Sequence, residues 1–268
     1  MNAAWLELVA GPLRAMRRAT VWWSIGLASL VAVTVAFWPA FQGSSGISRA
    51  IDQLPSGVVQ AFGLQDFGTP AGFLRGNLYD FFVPLLLAAA AVVLANGQMA
   101  SEEAAGRLEL YLAQPVDRRA VFAGRAVAAL LALLAITLVV AVVQLGIDAV
   151  MGLQIDAGYL LSTIALCALL GILHGSLAVT IAGLWARPSL VLGVGLGVAL
   201  VGCIVVALFP LSSVLDPWRH LSPWDWAFGG NPLEGPTDAW RYLALAIPSV
   251  ACAAVGVVAV ARRDVVTG

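Results

Sequence analysis

Residues 121–147 read VFAGRAVAALLALLAITLVVAVVQLGI, with one charge, Arg125, near the start and none from there to Ile147. A helix needs about 20 apolar residues to cross a hydrocarbon core of about 30 Å, whereas strands in globular proteins usually end within about ten residues. A helix apolar on every side has no face to turn toward water. The stretch therefore reads as a transmembrane helix, and its class governs the rest of the chain.

Working outward, runs of the same kind occupy 21–41, 79–98, 159–185, 190–211 and 242–261, which makes six spans in all. The whole chain agrees: of 268 residues 61% are hydrophobic and 11% charged, with a mean hydropathy of +0.93, against about 25% charged in soluble domains. The 14 basic and 15 acidic residues cluster between the runs and do not supply a soluble protein's surface. The expected fold is an all-α integral membrane protein forming a single transmembrane domain over 1–268. Arg14, Arg17 and Arg18 precede the first run, but that run is long and bulky and no small-x-small site follows it, so it reads as a span and not a cleavable leader.

Basic residues near span ends stay on the cytoplasmic side. With both termini inside, the inner segments hold Arg14, Arg17, Arg18, Arg107, Arg118, Arg119, Arg125, Arg187, Arg262 and Arg263, and the outer ones only Arg49, Arg75, Arg219 and Arg241. The outer loops are acidic, so a net charge of −1 conceals opposite faces, and no nucleic-acid partner is implied. Trp22, Trp23 and Trp185 fall at inner edges and Trp38, Trp218, Trp224, Trp226 and Trp240 at outer ones, the interfacial placement that indole favours. Cys167, Cys203 and Cys252 lie within spans and read as small packing residues; no metal site is expected.

The connections are more informative. In 1–20, Trp5, Leu6, Val9, Leu13 and Met16 share one helical face opposite Glu7, Arg14, Arg17 and Arg18, which describes either an interfacial elbow helix kinked at Gly11-Pro12 or a basic, membrane-attracted tail. The external segment 42–78 reads as short helical pieces and turns that lie on the membrane or cap the bundle. The inner loop 99–118 contains SEEAAGRLELYLAQPVDR at 101–118. Span 2 is expected to continue through Glu102 and Glu103 and break at Gly106. An amphipathic helix then runs from Arg107 to Ala113 and ends before Pro115, and Asp117 caps span 3. Leu108, Leu110, Tyr111 and Leu112 ringed by charge form a docking knob for a soluble partner.

The run Glu-Glu-x-x-Gly-x-Leu-x-x-x-Leu-x-x-Pro-Val-x-Arg over 102–118 resembles the coupling loop of ABC-2 type permeases, the membrane subunits of a class of ABC exporters with a type V exporter-like fold. The long first external loop, Ser-Pro-Trp-x-Trp…Asn-Pro-Leu at 222–233 and Arg-Arg-Asp at 262–264 are similar to the same family, though only the coupling loop is specific. The resemblance implies an export permease in the bacterial cell membrane, two halves making the pathway, the second half an identical copy or a different subunit. It also implies two copies of a separate ABC ATP-binding subunit that carry the ATP and Mg. Glu102, Glu103, Arg107, Leu108, Glu109, Leu110, Tyr111, Leu112 and Pro115 would then be the docking contact, although the two glutamates are equally readable as a solvated helix end paired with Arg107 or Arg125. The chain has no lysine, so a Gly-x-x-x-x-Gly-Lys-Ser/Thr phosphate loop cannot exist in it, and it binds no cofactor of its own on this reading.

Small-residue patterns, Gly171-x-x-x-Gly175 in the fourth run and Gly193, Gly195, Gly197 and Gly202 in the fifth, permit close helix approach. Gly193, Gly197 and Gly202 fit either a face between two halves or packing within one. Gln144, His174, Asn96 and Thr137 are polar groups at membrane depth, lining a substrate path or bonded within the bundle, while Asp80 reads as a residue near the N-terminus of span 2. Their scarcity points to amphipathic or hydrophobic cargo. The segment 212–240 either dips back toward the bilayer to close the exit or lies on the surface. An intramembrane enzyme would need converging catalytic groups, and His174 stands alone. A secondary transporter driven by an ion gradient, the runner-up, would show repeated broken helices with midplane charges.

Overall fold

The computed structural model describes residues 3–42, 68–106 and 117–262, with positions 53, 54, 58, 59 and 66 between. Their elements are α1 (Ala3–Ala36), α2 (Trp38–Phe41), α3 (Pro70–Leu74), a π-helical turn (Arg75–Tyr79), α4 (Phe82–Gln98), α5 (Ala100–Ala104), α6 (Arg118–Met151), α7 (Ala157–Trp185) and α8 (Pro188–Leu208). Two 3₁₀ turns (Phe209–Leu211 and Asp216–Leu221), α9 (Pro223–Phe228) and α10 (Ala239–Ala259) follow. Six helical stretches are long and apolar enough to cross a membrane, and no strand occurs among the described residues. The chain is an all-α integral membrane protein with six spans.

The helix ends lie close to the sequence expectation because local chemistry marks them. The Asp117 carboxylate accepts from the Arg119 amide at 2.9 Å and caps α6 as expected, and Asp156 does the same for α7 through the Gly158 and Tyr159 amides. Gly152 ends α6 at a φ of 63°, a left-handed conformation that glycine adopts without a side-chain clash. The face on which α1 begins is the lower face below. The spans alternate, so α4, α7 and α10 start at the upper face.

α7 is the central helix, packed on α4, α6, α8 and α10. Lipid offers no hydrophobic drive to pair helices, so close contact must come from shape. A β-carbon at Gly171 would stand 3.2 Å from the Leu87 carbonyl oxygen, and one at Gly175 would stand 3.0 Å from the Ala91 side chain, so the Gly-x-x-x-Gly stripe seats α7 on α4. Lower on α7, Gly183 meets Gly256 of α10 so tightly that a β-carbon on Gly183 would lie 2.3 Å from the Gly256 carbonyl oxygen. The Thr180 hydroxyl donates to the Cys252 carbonyl at 2.6 Å and fastens the same pair.

Three features depart from expectation. The 1–20 segment forms no separate elbow: α1 runs without interruption from Ala3 to Ala36 with Pro12 inside. Pro12 has no amide hydrogen for the carbonyl four residues back, that of Leu8, and this oxygen lies against α6, where a β-carbon on Gly124 would come within 2.8 Å of it. One missing bond in an Ala-, Leu- and Arg-rich stretch leaves helix favourable on both sides. Second, span 2 breaks at Met99 (φ −116°, ψ −85°), before Glu102 and Glu103, and not at Gly106; the latter, at a φ of 69°, follows the end of α5. Third, Trp224 is no part of an interfacial belt: it is 1% exposed, inside the bundle.

Candidate functional site

Two regions hold the chemistry expected of this chain, one on each face. On the lower face, the break at Met99 is locked from three directions. Met99 and Ala100 are buried in one cluster with Phe122, Ala178 and Val191. The Asn96 amide donates to the Ser101 hydroxyl at 3.2 Å, across the break. Arg125, itself buried, donates to the Gln98 carbonyl, which satisfies one of the acceptors left open at a helix end. The short α5 that follows carries Glu102, half-buried, and Glu103, buried. Arg107, Leu108, Glu109, Leu110, Tyr111, Leu112 and Pro115 lie outside the described residues, as does the expected helix over 107–113. In the chain they stand between α5 and the Asp117 cap, and Arg125 of α6 bonds the Gln98 carbonyl at the end of α4.

On the upper face, the chain re-enters the bundle after α8. The Ser222 hydroxyl accepts from the Trp224 amide at 3.2 Å and donates to the Gly202 carbonyl of α8 at 2.7 Å, so it caps α9 and pins it in one position. The other end of α9 is capped by Arg241, whose guanidinium donates to the Asp225 and Trp226 carbonyls at 3.0 Å each. These bonds answer the need for satisfied backbone groups at depth. The Trp224 ring stands edge-on to His174 with centroids 5.4 Å apart. His174 lies eleven residues above Trp185 at the lower end of α7, a rise of about 16 Å, so the tryptophan reaches roughly the middle of a core of about 30 Å. Charged groups rim the segment: Asp225 holds His220 at 2.9 Å, and Arg219 contacts Asp216 and Asp225. Arg75, buried in the π-helical turn, reaches both Asp80 and Glu234 at 3.3 Å and joins the start of span 2 to the loop before span 6.

The polar residues singled out from the sequence are not brought together. Gln144 accepts from the Tyr79 hydroxyl at 3.1 Å, Thr137 donates to the Leu133 carbonyl, His174 bonds the Leu170 carbonyl and Asn96 bonds Ser101. Each is buried within the bundle of a single copy. The glycines of α8 divide. Gly193 and Gly197 face open space, whereas Gly202 lies under Trp224 and Ser222 of the same chain. Beside Gly197 an apolar groove of about 740 Å³ runs between α8 and the re-entrant segment, lined by Val198, Val201, Val205, Phe209, Leu215 and Trp218. Sequence reasoning missed Ser222, Arg241 and Arg75, polar groups whose partners are remote in the chain.

No curated protein matches the chain. A family model described as "ABC-2 family transporter protein" matches residues 8–217, from the first turns of α1 to the start of the re-entrant segment. Most of the chain is covered, including the locked break below α4 and the whole of α8, and it therefore belongs to the ABC-2 transporter family as a multi-pass membrane permease, a family that works with an ABC ATP-binding subunit.

Proposed function

We propose that this chain is one single-domain half of an ATP-driven exporter in a bacterial cell membrane, with both termini and the lower face in the cytoplasm, and that it carries an amphipathic or hydrophobic molecule outward. Two copies of a separate subunit hold the ATP and Mg. They dock on Glu102, Glu103 and the 107–115 segment. A second, identical permease chain meets the open side of α8 at Gly193 and Gly197.

The observation that carries this reading is the locked break at Met99. A docking loop transmits force only if its roots are stiff, and here both roots are bonded to spans through Asn96, Arg125 and Asp117. Movement of the cassettes then tilts α4 and α6 as rigid bodies. The apolar lining of the groove beside α8, where the Ser222 hydroxyl and the Trp218 indole N–H are the polar side-chain groups, favours a greasy cargo over an ion.

The test is purification from the native membrane in mild detergent, comparing wild type with Glu102→Arg/Glu103→Arg/Leu110→Asp. Recovery of an ABC ATP-binding protein with wild type, lost in a variant that still inserts and migrates as a folded species, supports the docking assignment. Equal recovery with both would remove these residues from the contact.

A further inference from the structure

Away from both regions, α4, α6, α7 and α10 leave a crevice of about 140 Å³ in the lower half of the bundle. Small side chains make it: Ala91, Ala95 and Ala129 with Gly175 form the floor, and Ala253 narrows the α10 side. Its mouth is at the bilayer surface of the protein, because Val127, Ile172 and Ala253 are half-exposed and Leu130 exposed. Ser176 is the one polar side chain among its lining residues, and apolar cavities of about this size stay free of water and admit hydrocarbon. A facing helix, about 10 Å across, is too broad to enter a hollow this small, whereas an alkyl chain fits.

What fills it is indicated by charge. Leu130 and Leu133 line the crevice, and with Ala126 they continue a stripe that begins at Arg119, with steps of seven, four and three residues. Such steps keep side chains on one helical face, and Arg119, exposed at the first turn of α6, lies about 10 Å below Ala126 and about 16 Å below Leu130 along the axis. The separation matches that between a phospholipid's phosphate and the middle of its chain. Arginine forks onto phosphate oxygens, and basic residues at the cytoplasmic ends of spans recruit anionic headgroups.

We propose that the crevice between α6, α7 and α10 holds one acyl chain of an anionic inner-leaflet phospholipid whose phosphate is bound by Arg119. The lipid lies between α10 and α6 on the lower half of the bundle, and it stands apart from the groove beside α8.

The experiment uses the full chain in vesicles containing phosphatidylglycerol or phosphatidylcholine with a photoreactive group midway along one acyl chain, and maps the adducts by mass spectrometry. The expected adducts concentrate on the peptides carrying Leu130, Ile172 and Ala253, several-fold above other lipid-facing peptides. Ala126→Phe/Ala253→Phe fills the mouth and removes this excess about tenfold, while general labelling is retained as a check on folding. Arg119→Gln leaves the site but abolishes the preference for phosphatidylglycerol. Adducts spread evenly over all spans, or an excess unchanged in the filled variant, would overturn the site. Protection of these peptides together with cross-linked dimers would assign the crevice to a second copy instead. Equal preference for both headgroups in wild type would overturn the role of Arg119.

Discussion

Gly183 and Gly256 face each other where α7 and α10 come closest, and neither position has room for a β-carbon. Gly183→Val should therefore force the two spans apart and cost about 1–3 kcal/mol, read as a lower unfolding midpoint in detergent. Gly146→Val, on open and exposed helix of α6, is the matched control and should stay within about 0.5 kcal/mol of wild type. A similar loss in both would show that the close approach of Gly183 to Gly256 does not set the effect, since valine is a better helix former than glycine. These glycines differ only in what lies opposite, information that the local sequence does not contain. Gly171 and Gly175 were readable as a stripe because they stand four apart. Gly183 and Gly256 were not, since each is a single glycine whose partner lies on a remote helix.

Among the elements, α9 has the least sequence support and the most specific surroundings. It is six residues long and held by Ser222 against α8, by Arg241 at its end and by Trp224 against His174. Removal of the indole should release it. In a chain cleared of Cys167, Cys203 and Cys252, Ala227→Cys is expected to resist a membrane-impermeant maleimide, because Ala227 is fully buried. Addition of Trp224→Ala should raise its labelling rate at least tenfold; unchanged protection would mean that the two caps alone hold the segment in place. The long spans were legible to within a few residues because their hydropathy is continuous and aspartates mark two of the starts. The re-entrant segment was legible only as two alternatives, since four prolines and four tryptophans between 212 and 240 suit a surface loop as well. Its depth is decided by Gly202 and His174, which leave room for an indole. The N-terminal elbow misled for a related reason: a proline interrupts helix in a local reading, while here the exposed Leu8 carbonyl is turned onto Gly124.

At the scale of the molecule, Arg75 links the upper ends of spans 2 and 6 through Asp80 and Glu234. The carboxylates are partly open to solvent, so the coupling is expected to be modest, about 1 kcal/mol. A double-mutant cycle of Arg75→Gln with Glu234→Gln, followed by thermal unfolding, should show that coupling, reduced at high salt. Additive effects would mean that the contact contributes nothing measurable. The six spans were readable from hydropathy. The proposed docking segment was named from its resemblance to a family, and its residues 107–115 lie outside the described ones.

The seating of Leu8 on Gly124 has a mechanical consequence. α1 and α6 each contain 34 residues, about 51 Å of helix, and they run in the same direction, joined near their starting ends, where the 107–116 loop enters α6. Two parallel struts fastened there would move together as one lever. A tilt of about 5° about a pivot at that end would swing the far ends by about 4 Å for helices of this length. A push too small to disturb any single contact at the loop would thus reach the upper face as a displacement comparable to the width of a hydrocarbon chain.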